Sequence, residues 1–210
     1  MSKGLLRRKG FRIGLFMNEK TPLYGLVLAG GKSRRMGTDK GAILWNNGQE
    51  QRYYMADVLK KHCEDVFISC RNEAQKETLN PDYQYITDIF LDMGPYGAIL
   101  SAFRKNTKVA WLVVACDMPL LDDETLSFLI ANRNEIALAT TFKSPYDGLP
   151  EPLITIWETD SYATLLAFLA KGFSCPRKVL INSNVTILEV PNPDALKNIN
   201  TPEDMKSVLK

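Results

Sequence analysis

The sequence has few of the residues on which common metal centres and redox sites depend. It contains one histidine, His62, and its four cysteines form no C-x-x-C pair. Because no histidine cluster accompanies the cysteines, the pattern predicts buried free thiols in a reducing compartment. We therefore expect a cytoplasmic protein. The cysteines are Cys63, Cys70, Cys116 and Cys175.

The chain also lacks a strong excess of either charge. Its formal net charge is +2, so composition predicts neither a nucleic-acid nor a membrane partner. Residues 1–20 are basic but lack the apolar core and small-residue cleavage site of a secretory signal. We expect 1–20 to be a flexible basic extension, with a short arm contacting a partner as the alternative. The 210-residue length suits one α/β core, so 21–210 is predicted to be a single domain.

Residues 26–41, LVLAGGKSRRMGTDKG, form the most informative stretch of the chain. An apolar strand runs into two adjacent glycines, and four cations follow within nine residues. Glycines let backbone N–H groups approach a polyphosphate closely, and basic side chains balance its charge. The stretch therefore predicts a phosphate site, whereas a glycine-rich basic surface loop is the alternative. The cations are Lys32, Arg34, Arg35 and Lys40.

The glycine pattern excludes two well-known phosphate loops. A P-loop needs four residues between its first glycine and Gly-Lys-Ser/Thr, and a dinucleotide fold needs G-x-G-x-x-G. Neither spacing is present here. The stretch instead resembles the L-A-G-G-x-S-x-R-M-G-x-D-K signature of Rossmann-like nucleotidyltransferases. Its Asp-Lys-Gly ending is most similar to molybdenum cofactor guanylyltransferases.

From residue 24 onward, strand and helix patterns alternate along the chain. We predict strands over 24–28, 66–70, 84–86, 111–115, 136–141, 151–155 and 185–190. Helices are predicted over 51–63, 98–104, 125–131 and 162–170, with a helical turn or loop at 73–79 and a short apolar turn at 175–180. Together with the resemblance, this order implies a three-layer α/β/α, Rossmann-like nucleotidyltransferase fold whose central sheet is mostly parallel, with 111–115 as a central strand.

The apolar strand 111–115 ends in the sequence CDMP at 116–119. An aspartate just past a buried strand lies at the edge where open α/β sheets bind ligands. Carboxylates are also the ligands that Mg²⁺ prefers. From position alone, Asp117 is equally well explained as a turn residue or as the cap of the helix near Asp122. The resemblance favours the metal, because the family's Cys-Asp-x-Pro motif carries its magnesium-binding aspartate.

The resemblance implies a role for each matching residue in the nucleotide site. Leu28, Ala29, Gly30 and Gly31 would contact guanine and phosphates, and Lys40 the phosphates. Arg35 and Lys40 would stabilise the leaving pyrophosphate, while Asp117 would bind both the nucleotide and Mg²⁺. Asp88 would contact the nucleotide, with Asp92 as its competitor. The family asparagine after the second strand is absent, and either Ser69 or Asn72 takes its place.

The resemblance also implies an acceptor and a reaction. Glu151, Arg177, Asn198 and Asn200 match segments on the acceptor side of the family's site. The implied activity is transfer of GMP from GTP to the terminal phosphate of molybdopterin, with release of pyrophosphate. Transient contacts with molybdenum-cofactor insertion proteins or apo-molybdoenzyme chaperones would follow. A CTP-using enzyme, acting on the pterin or on a sugar or polyol phosphate, and a non-catalytic nucleotide-binding regulator are the alternatives.

Overall fold

In the computed structural model, the described residues are 20–30, 40–45, 48–199 and 204. Apart from Lys20, the predicted N-terminal extension lies outside them. The strands are β1 (Leu23–Leu28), β2 (Leu44–Trp45), β3 (Gln49–Glu50), β4 (Asp65–Cys70), β5 (Gln84–Thr87), β6 (Ala110–Ala115), β7 (Ala139–Lys143), β8 (Pro150–Trp157) and β9 (Val185–Leu188). The helices are α1 (Gln51–Leu59), α2 (Glu73–Lys76), α3 (Pro95–Lys105), α4 (Asp123–Ala131), α5 (Ser161–Ala170) and α6 (Pro176–Ile181). Short 3-10 turns lie at Lys40–Ala42 and Pro193–Leu196.

Seven strands form the central sheet, in the order β5-β4-β1-β6-β8-β7-β9. Strand β8 runs antiparallel to its neighbours β6 and β7, and the remaining strands run in one direction. The predicted, mostly parallel sheet is therefore confirmed, and the 111–115 segment lies at its centre as β6. Strand β1 pairs with β4 on one side and with β6 on the other, so the order in which strands are added to the sheet reverses at β1. Open α/β sheets form their ligand crevices at such a point.

Strand β6 is buried over its whole length because helices cover both faces of the sheet. On one face, Leu112 and Val114 pack in a cluster with residues of α1 and α4. On the other face, Trp111 and Val113 pack in a cluster with residues of α3 and α5. Side chains that alternate along a strand point to opposite faces. The apolar run at 111–115 therefore serves two cores, and the predicted three-layer α/β/α arrangement is confirmed.

Several element boundaries differ from those predicted. The predicted helix over 51–63 ends at Leu59, where a tight turn follows and His62 N–H donates to the Leu59 carbonyl. Strand β7 begins at Ala139 rather than at 136, because the Asn134 side chain accepts from Ile136 N–H and holds a turn. The apolar turn predicted at 175–180 is helix α6, which proline can start because the first helical N–H needs no partner. Within the described part of the chain, no helix is long and apolar enough to cross a membrane.

Candidate active site

A cleft of about 910 Å³ opens at the carboxyl ends of β1, β4, β5 and β6. These four strands are parallel, so the residues that follow them meet at one edge of the sheet. The described residues that line the cleft are Leu28, Ala29, Gly30, Ser69, Arg71, Asn72, Asp88, Leu91, Asp92, Gly94, Pro95, Ala98, Ala115, Cys116, Asp117 and Leu153.

Ser69 holds the chain at the point where β1 enters the glycine-rich stretch. The buried Ala29 N–H donates a hydrogen bond of 3.1 Å to Ser69 Oγ. Because a buried N–H without an acceptor is costly, this bond stabilises the first turn after β1. Ser69 is one of the two residues predicted to take the place of the family asparagine, and its hydroxyl thus binds the backbone. The other, Asn72, caps α2 by accepting from Gln75 N–H at 2.9 Å.

A buried cation lies behind the segment at Lys40–Ala42. Arg52 is 2% exposed and forms an ion pair of 2.9 Å with Glu50. Its guanidinium lies so close to Gly41 that a methyl group on Gly41 would be 3.2 Å from Arg52 Cζ and 3.3 Å from Ala29 Cβ. Glycine at this position therefore lets the Lys40–Gly41 backbone pack tightly against both α1 and the end of β1.

Asp88 supplies a buried acceptor at the β5 end of the cleft. Its backbone N–H donates to the Cys70 carbonyl at 2.8 Å, which continues the pairing of β5 with β4. Its Oδ1 is buried, and no described residue donates a hydrogen bond to it. Burial raises the pKa of Asp88 from 3.8 to about 6, because desolvation disfavours the carboxylate. A cleft carboxyl group with a raised pKa and a buried oxygen that accepts no hydrogen bond from the described residues is a candidate to accept a hydrogen bond from a ligand.

The loop between β5 and α3 is held in a conformation that brings the start of α3 to the cleft. Asp92 and Gly94 both have positive φ angles, 58° and 55°. A methyl group on Gly97 would lie 2.3 Å from the Phe90 carbonyl oxygen, so only glycine permits this approach of helix to loop. Pro95 and Ala98, in the first turn of α3, therefore line the cleft.

Asp117 lies at the opposite side of the cleft, just after β6. Its backbone carbonyl accepts a 2.8 Å hydrogen bond from Ile199 N–H, so the C-terminal segment is joined to this end of the sheet. The alternative role of Asp117 as a helix cap is wrong, because Asp122 caps α4 by accepting from Thr125 N–H at 2.8 Å. The proline that follows two residues later turns the chain away from the ladder, and Asp117 lines the cleft.

Residues 25–185 match the family described as the MobA-like NTP transferase domain. The chain belongs to the MobA-like NTP transferase family. The family resemblance inferred from the glycine-rich stretch and the CDMP motif is thus confirmed, and the chain is a nucleotidyltransferase by family. The match begins within β1 and ends at the start of β9, so it includes every strand that borders the cleft.

Two relatives and one solved structure illustrate the similarity. The chain is 30% identical over 193 residues to "Molybdenum cofactor guanylyltransferase" of Pseudomonas entomophila, covering 89% of this chain and 98% of that protein. It is 35% identical over 185 residues to "Molybdenum cofactor biosynthesis bifunctional protein" of Synechocystis sp., and the aligned region covers 88% of this chain. The chain spans about half, 53%, of that bifunctional relative.

The crystal structure of "Molybdopterin-guanine dinucleotide biosynthesis protein A" from Archaeoglobus fulgidus has the same fold. It superposes with a TM-score of 0.68 at 26% sequence identity. The similarity covers 88% of this chain and 95% of that one. The predicted Rossmann-like nucleotidyltransferase fold is confirmed by this superposition together with the observed sheet.

The residues predicted for the nucleotide site of this MobA-like domain fall into two groups. The structure brings six of them together in the lining of the cleft: Leu28, Ala29, Gly30, Ser69, Asp88 and Asp117. Gly31 and Arg35 lie outside the described residues, as does Asn200 of the predicted acceptor side, and only the backbone of Lys40 is described. The competitor Asp92 lines the same cleft as Asp88, so position alone does not separate these two aspartates.

Two of the residues predicted for the acceptor side, Glu151 and Arg177, belong to a separate charged cluster. Arg177, in α6, forms ion pairs with Asp147 at 2.6 Å and with Glu151, in β8, at 3.1 Å. Glu151 and Arg177 are not part of the cleft lining, although Leu153, two residues further along β8, is. Asn198 precedes Ile199, whose N–H binds the Asp117 carbonyl, so the chain carries Asn198 to the β6 end of the cleft.

Arg71 is among the cleft residues of this MobA-like domain that sequence reasoning did not assign to the site. It directly follows β4 and is the one cation among the described lining residues, beside the acidic side chains of Asp88, Asp92 and Asp117. Single residues after strands carry no distinctive pattern, because arginine is common in exposed loops. The hydrogen bonds that hold the neighbouring Ser69 and Asn72 are visible only in the structure, so no sequence signal singles out Arg71.

Proposed function

We propose that this chain is a molybdenum cofactor guanylyltransferase, which transfers GMP from GTP to the terminal phosphate of molybdopterin and releases pyrophosphate. The observation that carries the proposal is the cleft itself. It combines the start of the glycine-rich stretch, at Ala29 and Gly30, with Asp88 on one side and Asp117 on the other. The names of the relatives support the choice of guanine and of the pterin acceptor.

The order of the strands suggests how GTP lies in the cleft. Asp88 follows β5 and Asp117 follows β6, and these strands are three spacings apart, about 14 Å at roughly 4.8 Å per strand. The glycine-rich stretch follows β1, between them. We place the triphosphate between Gly30 and Asp117, with the predicted phosphate ligands Gly31, Arg35 and Lys40 around it. The nucleoside then extends toward β4 and β5, where Asp88 accepts one of its hydrogen bonds.

The proposed chemistry needs no general base from the protein. An oxygen of the acceptor phosphate forms a bond to the α-phosphorus of GTP, and the bond from that phosphorus to the β-phosphate oxygen breaks. Pyrophosphate leaves with the bonding electrons. Because the acceptor phosphate is already an anion at neutral pH, the chain's task is to align two anionic reactants and stabilise the negative charge. Backbone N–H groups near Gly30 and the predicted cations Arg35 and Lys40 would serve this purpose.

The cleft suits Mg²⁺, and Asp117 is the residue that would hold it. In the described parts of the chain, no group of three or more His, Cys, Asp or Glu side chains is arranged to bind a metal ion. Mg²⁺ does not need such a group, since it is commonly bound by one or two carboxylates together with substrate phosphates. When bound, Mg²⁺ would supply positive charge to the phosphates.

On the acceptor side, we propose that the cluster of Glu151 and Arg177 and the segment with Asn198 and Asn200 bind molybdopterin. The Arg177 guanidinium is held between two carboxylates, which fixes its position. Guanidinium groups bind phosphate in the same bidentate manner as carboxylate. We further propose that the product is passed to molybdenum-cofactor insertion proteins or apo-molybdoenzyme chaperones in the cytoplasm by transient contact.

The proposal is tested by incubating the purified chain and Mg²⁺ with molybdopterin and each of GTP, CTP, ATP and UTP. We expect pyrophosphate and molybdopterin guanine dinucleotide with GTP. Product with CTP alone would assign the chain to the cytidylyltransferases. Nucleotide binding without pyrophosphate release would favour a non-catalytic regulator.

The Asp117→Asn substitution tests the metal carboxylate. It keeps the shape of the side chain and removes its charge, so we expect turnover to fall by at least about 100-fold. Asp82→Asn is the matched control, because Asp82 is exposed and does not line the cleft. Turnover within about twofold of the wild type in Asp117→Asn would contradict the role assigned to Asp117.

A further inference from the structure

Arg71 occupies a position in the cleft that the fold does not need for its own stability. Its backbone N–H and its Nε both donate to Gln75 Oε1, at 2.8 and 3.4 Å. Its two terminal guanidinium nitrogens donate to no described residue. The side chain is exposed and lines the cleft. Gln75 therefore anchors the inner end of the guanidinium, and the outer end remains available for a ligand.

Gly30 lies close to both Arg71 and Asp88. A methyl group on Gly30 would be 3.6 Å from Arg71 Cγ, from Arg71 N and from Asp88 Oδ2. Arg71 and the Asp88 carboxylate thus both border the space beside one glycine that carries no side chain. Arg71 makes its side-chain hydrogen bond to Gln75, and burial alone accounts for the raised pKa of Asp88. No ion pair joins Arg71 to Asp88 among the contacts of the described residues.

We propose that Arg71 selects the base of the nucleotide, with its terminal nitrogens donating to O6 and N7 of guanine. This inference rests on the proposed function, in which the nucleoside lies toward β4 and β5. Guanine presents two adjacent acceptors on this edge, and arginine is a donor-only group with a planar fork that matches them. Adenine presents an amino group in place of O6, so a guanidinium faces a donor there.

Asp88 complements Arg71 in this arrangement. Guanine also carries donors, N1–H and the 2-amino group, which a carboxylate accepts. The buried Oδ1 of Asp88 receives no hydrogen bond from the described residues. A base that offers acceptors to Arg71 and donors to Asp88 satisfies both groups. Adenine does not, because its amino group, a donor, takes the place of the O6 acceptor that faces Arg71.

A role for Arg71 in binding the phosphates is the competing explanation. Arg71 follows β4, which is separated from β6 by β1, so it lies two strand spacings, about 10 Å, from the Asp117 side of the cleft. We place the triphosphate between Gly30 and Asp117, so only its Gly30 end, where the nucleoside is attached, comes near Arg71. The two explanations predict different results for nucleotide analogues, because a phosphate contact is the same for every base.

The experiment measures equilibrium binding of GTP, 7-deaza-GTP, ATP and CTP, each with Mg²⁺, by calorimetry. The wild type, Arg71→Ala, Arg71→Lys and Lys76→Ala are compared. Lys76→Ala is the matched control, because it also removes one cation and Lys76, in α2, does not line the cleft. No pterin acceptor is needed, and circular dichroism verifies that each variant is folded.

For the wild type, we expect GTP to bind about 10- to 100-fold more tightly than 7-deaza-GTP, which lacks N7, and than ATP. In Arg71→Ala, GTP affinity should fall by a similar factor, while affinity for 7-deaza-GTP, which keeps only the O6 acceptor, should fall by a smaller factor. Arg71→Lys should retain part of the preference, and Lys76→Ala should match the wild type.

Equal weakening of all four nucleotides in Arg71→Ala would overturn the inference in favour of a phosphate contact. Equal binding of GTP and 7-deaza-GTP by the wild type, or a preference for CTP, would also overturn it. If the wild type bound no nucleotide at all, the proposed function would fail as well. GTP binding with an unchanged base preference in Arg71→Ala would overturn the inference alone.

Discussion

Replacing Asp88 by asparagine should stabilise the folded protein while weakening its affinity for nucleotide. Burial raises the pKa of Asp88 from 3.8 to about 6. This increase of about two in the pKa corresponds to about 3 kcal/mol of unfavourable desolvation of the ionised carboxylate. Because the side chain is only half-buried, solvent screening lowers this value, and we expect about 1–2 kcal/mol. Asparagine carries no charge and therefore avoids that cost.

The sign of the pH dependence follows from proton binding. Below pH 3.8 the Asp88 carboxyl is protonated in both the folded and the unfolded protein, so its burial costs little. Between about pH 4 and 6 the folded state binds more protons than the unfolded state, and the free energy of unfolding falls as the pH rises. Above about pH 6 the full cost remains. The stability gained by Asp88→Asn should therefore be small at pH 4 and reach its maximum near pH 7.

Urea unfolding of the wild type and Asp88→Asn between pH 4 and 8 measures this difference. At pH 7 the melting temperature of Asp88→Asn should be higher by about 2–8 °C. The exposed control Asp82→Asn should give no such pH-dependent gain. We also expect GTP affinity to fall by roughly 10- to 100-fold, because hydrogen bonds to a charged acceptor are worth about 1.5–3 kcal/mol. A variant that is less stable at pH 7, or a gain that is equal at every pH, would refute the reasoning.

Two further substitutions test the contacts that shape the cleft. Gly97→Ala should destabilise the protein by about 1–3 kcal/mol, because its methyl group would lie 2.3 Å from the Phe90 carbonyl oxygen. Thermal melting measures the loss, and an unchanged or higher melting temperature, as helix propensity alone would give, would contradict this contact. Ser69→Ala should cost about 1–3 kcal/mol, because the buried Ala29 N–H loses its acceptor. Urea unfolding should show no comparable loss for the exposed control Ser127→Ala, and equal effects of the two serine substitutions would argue against the bond.

The parts of the site that could be predicted are those carried by short, continuous patterns. The strand that runs into Ala29 and Gly30 and the strand that ends at Asp117 are recognisable because an apolar run predicts a buried strand and the next residues must emerge at its end. Asp88 is implied by the family resemblance, and the structure places it in the same cleft. These predictions needed only short motifs, their resemblance to a known family and the rule for parallel strands.

The roles of the remaining residues depend on contacts between segments that are distant in sequence. Ser69 and Asn72 both line the cleft, and only the structure shows that Ser69 also binds the Ala29 N–H and that Asn72 also caps α2. The ion pair between Glu151 and Arg177 joins residues 26 positions apart, through the packing of α6 near β8. No local pattern reveals such pairings, since they depend on which helix covers which strand.

The sequence by itself determined the class of the protein, the glycine-rich stretch predicted to bind phosphate and the aspartate at the end of the central strand. These features follow from the periodicity of apolar residues, from glycine and cation patterns and from the resemblance of short motifs to a known family, all of which are local properties of the chain. Only the tertiary structure decided that Arg71 faces the cleft, that Asp88 has a buried acceptor oxygen and that Asp122 rather than Asp117 caps α4. The physical reason is that burial, and the hydrogen bonds still available to each side chain, are set by the segments packed around it.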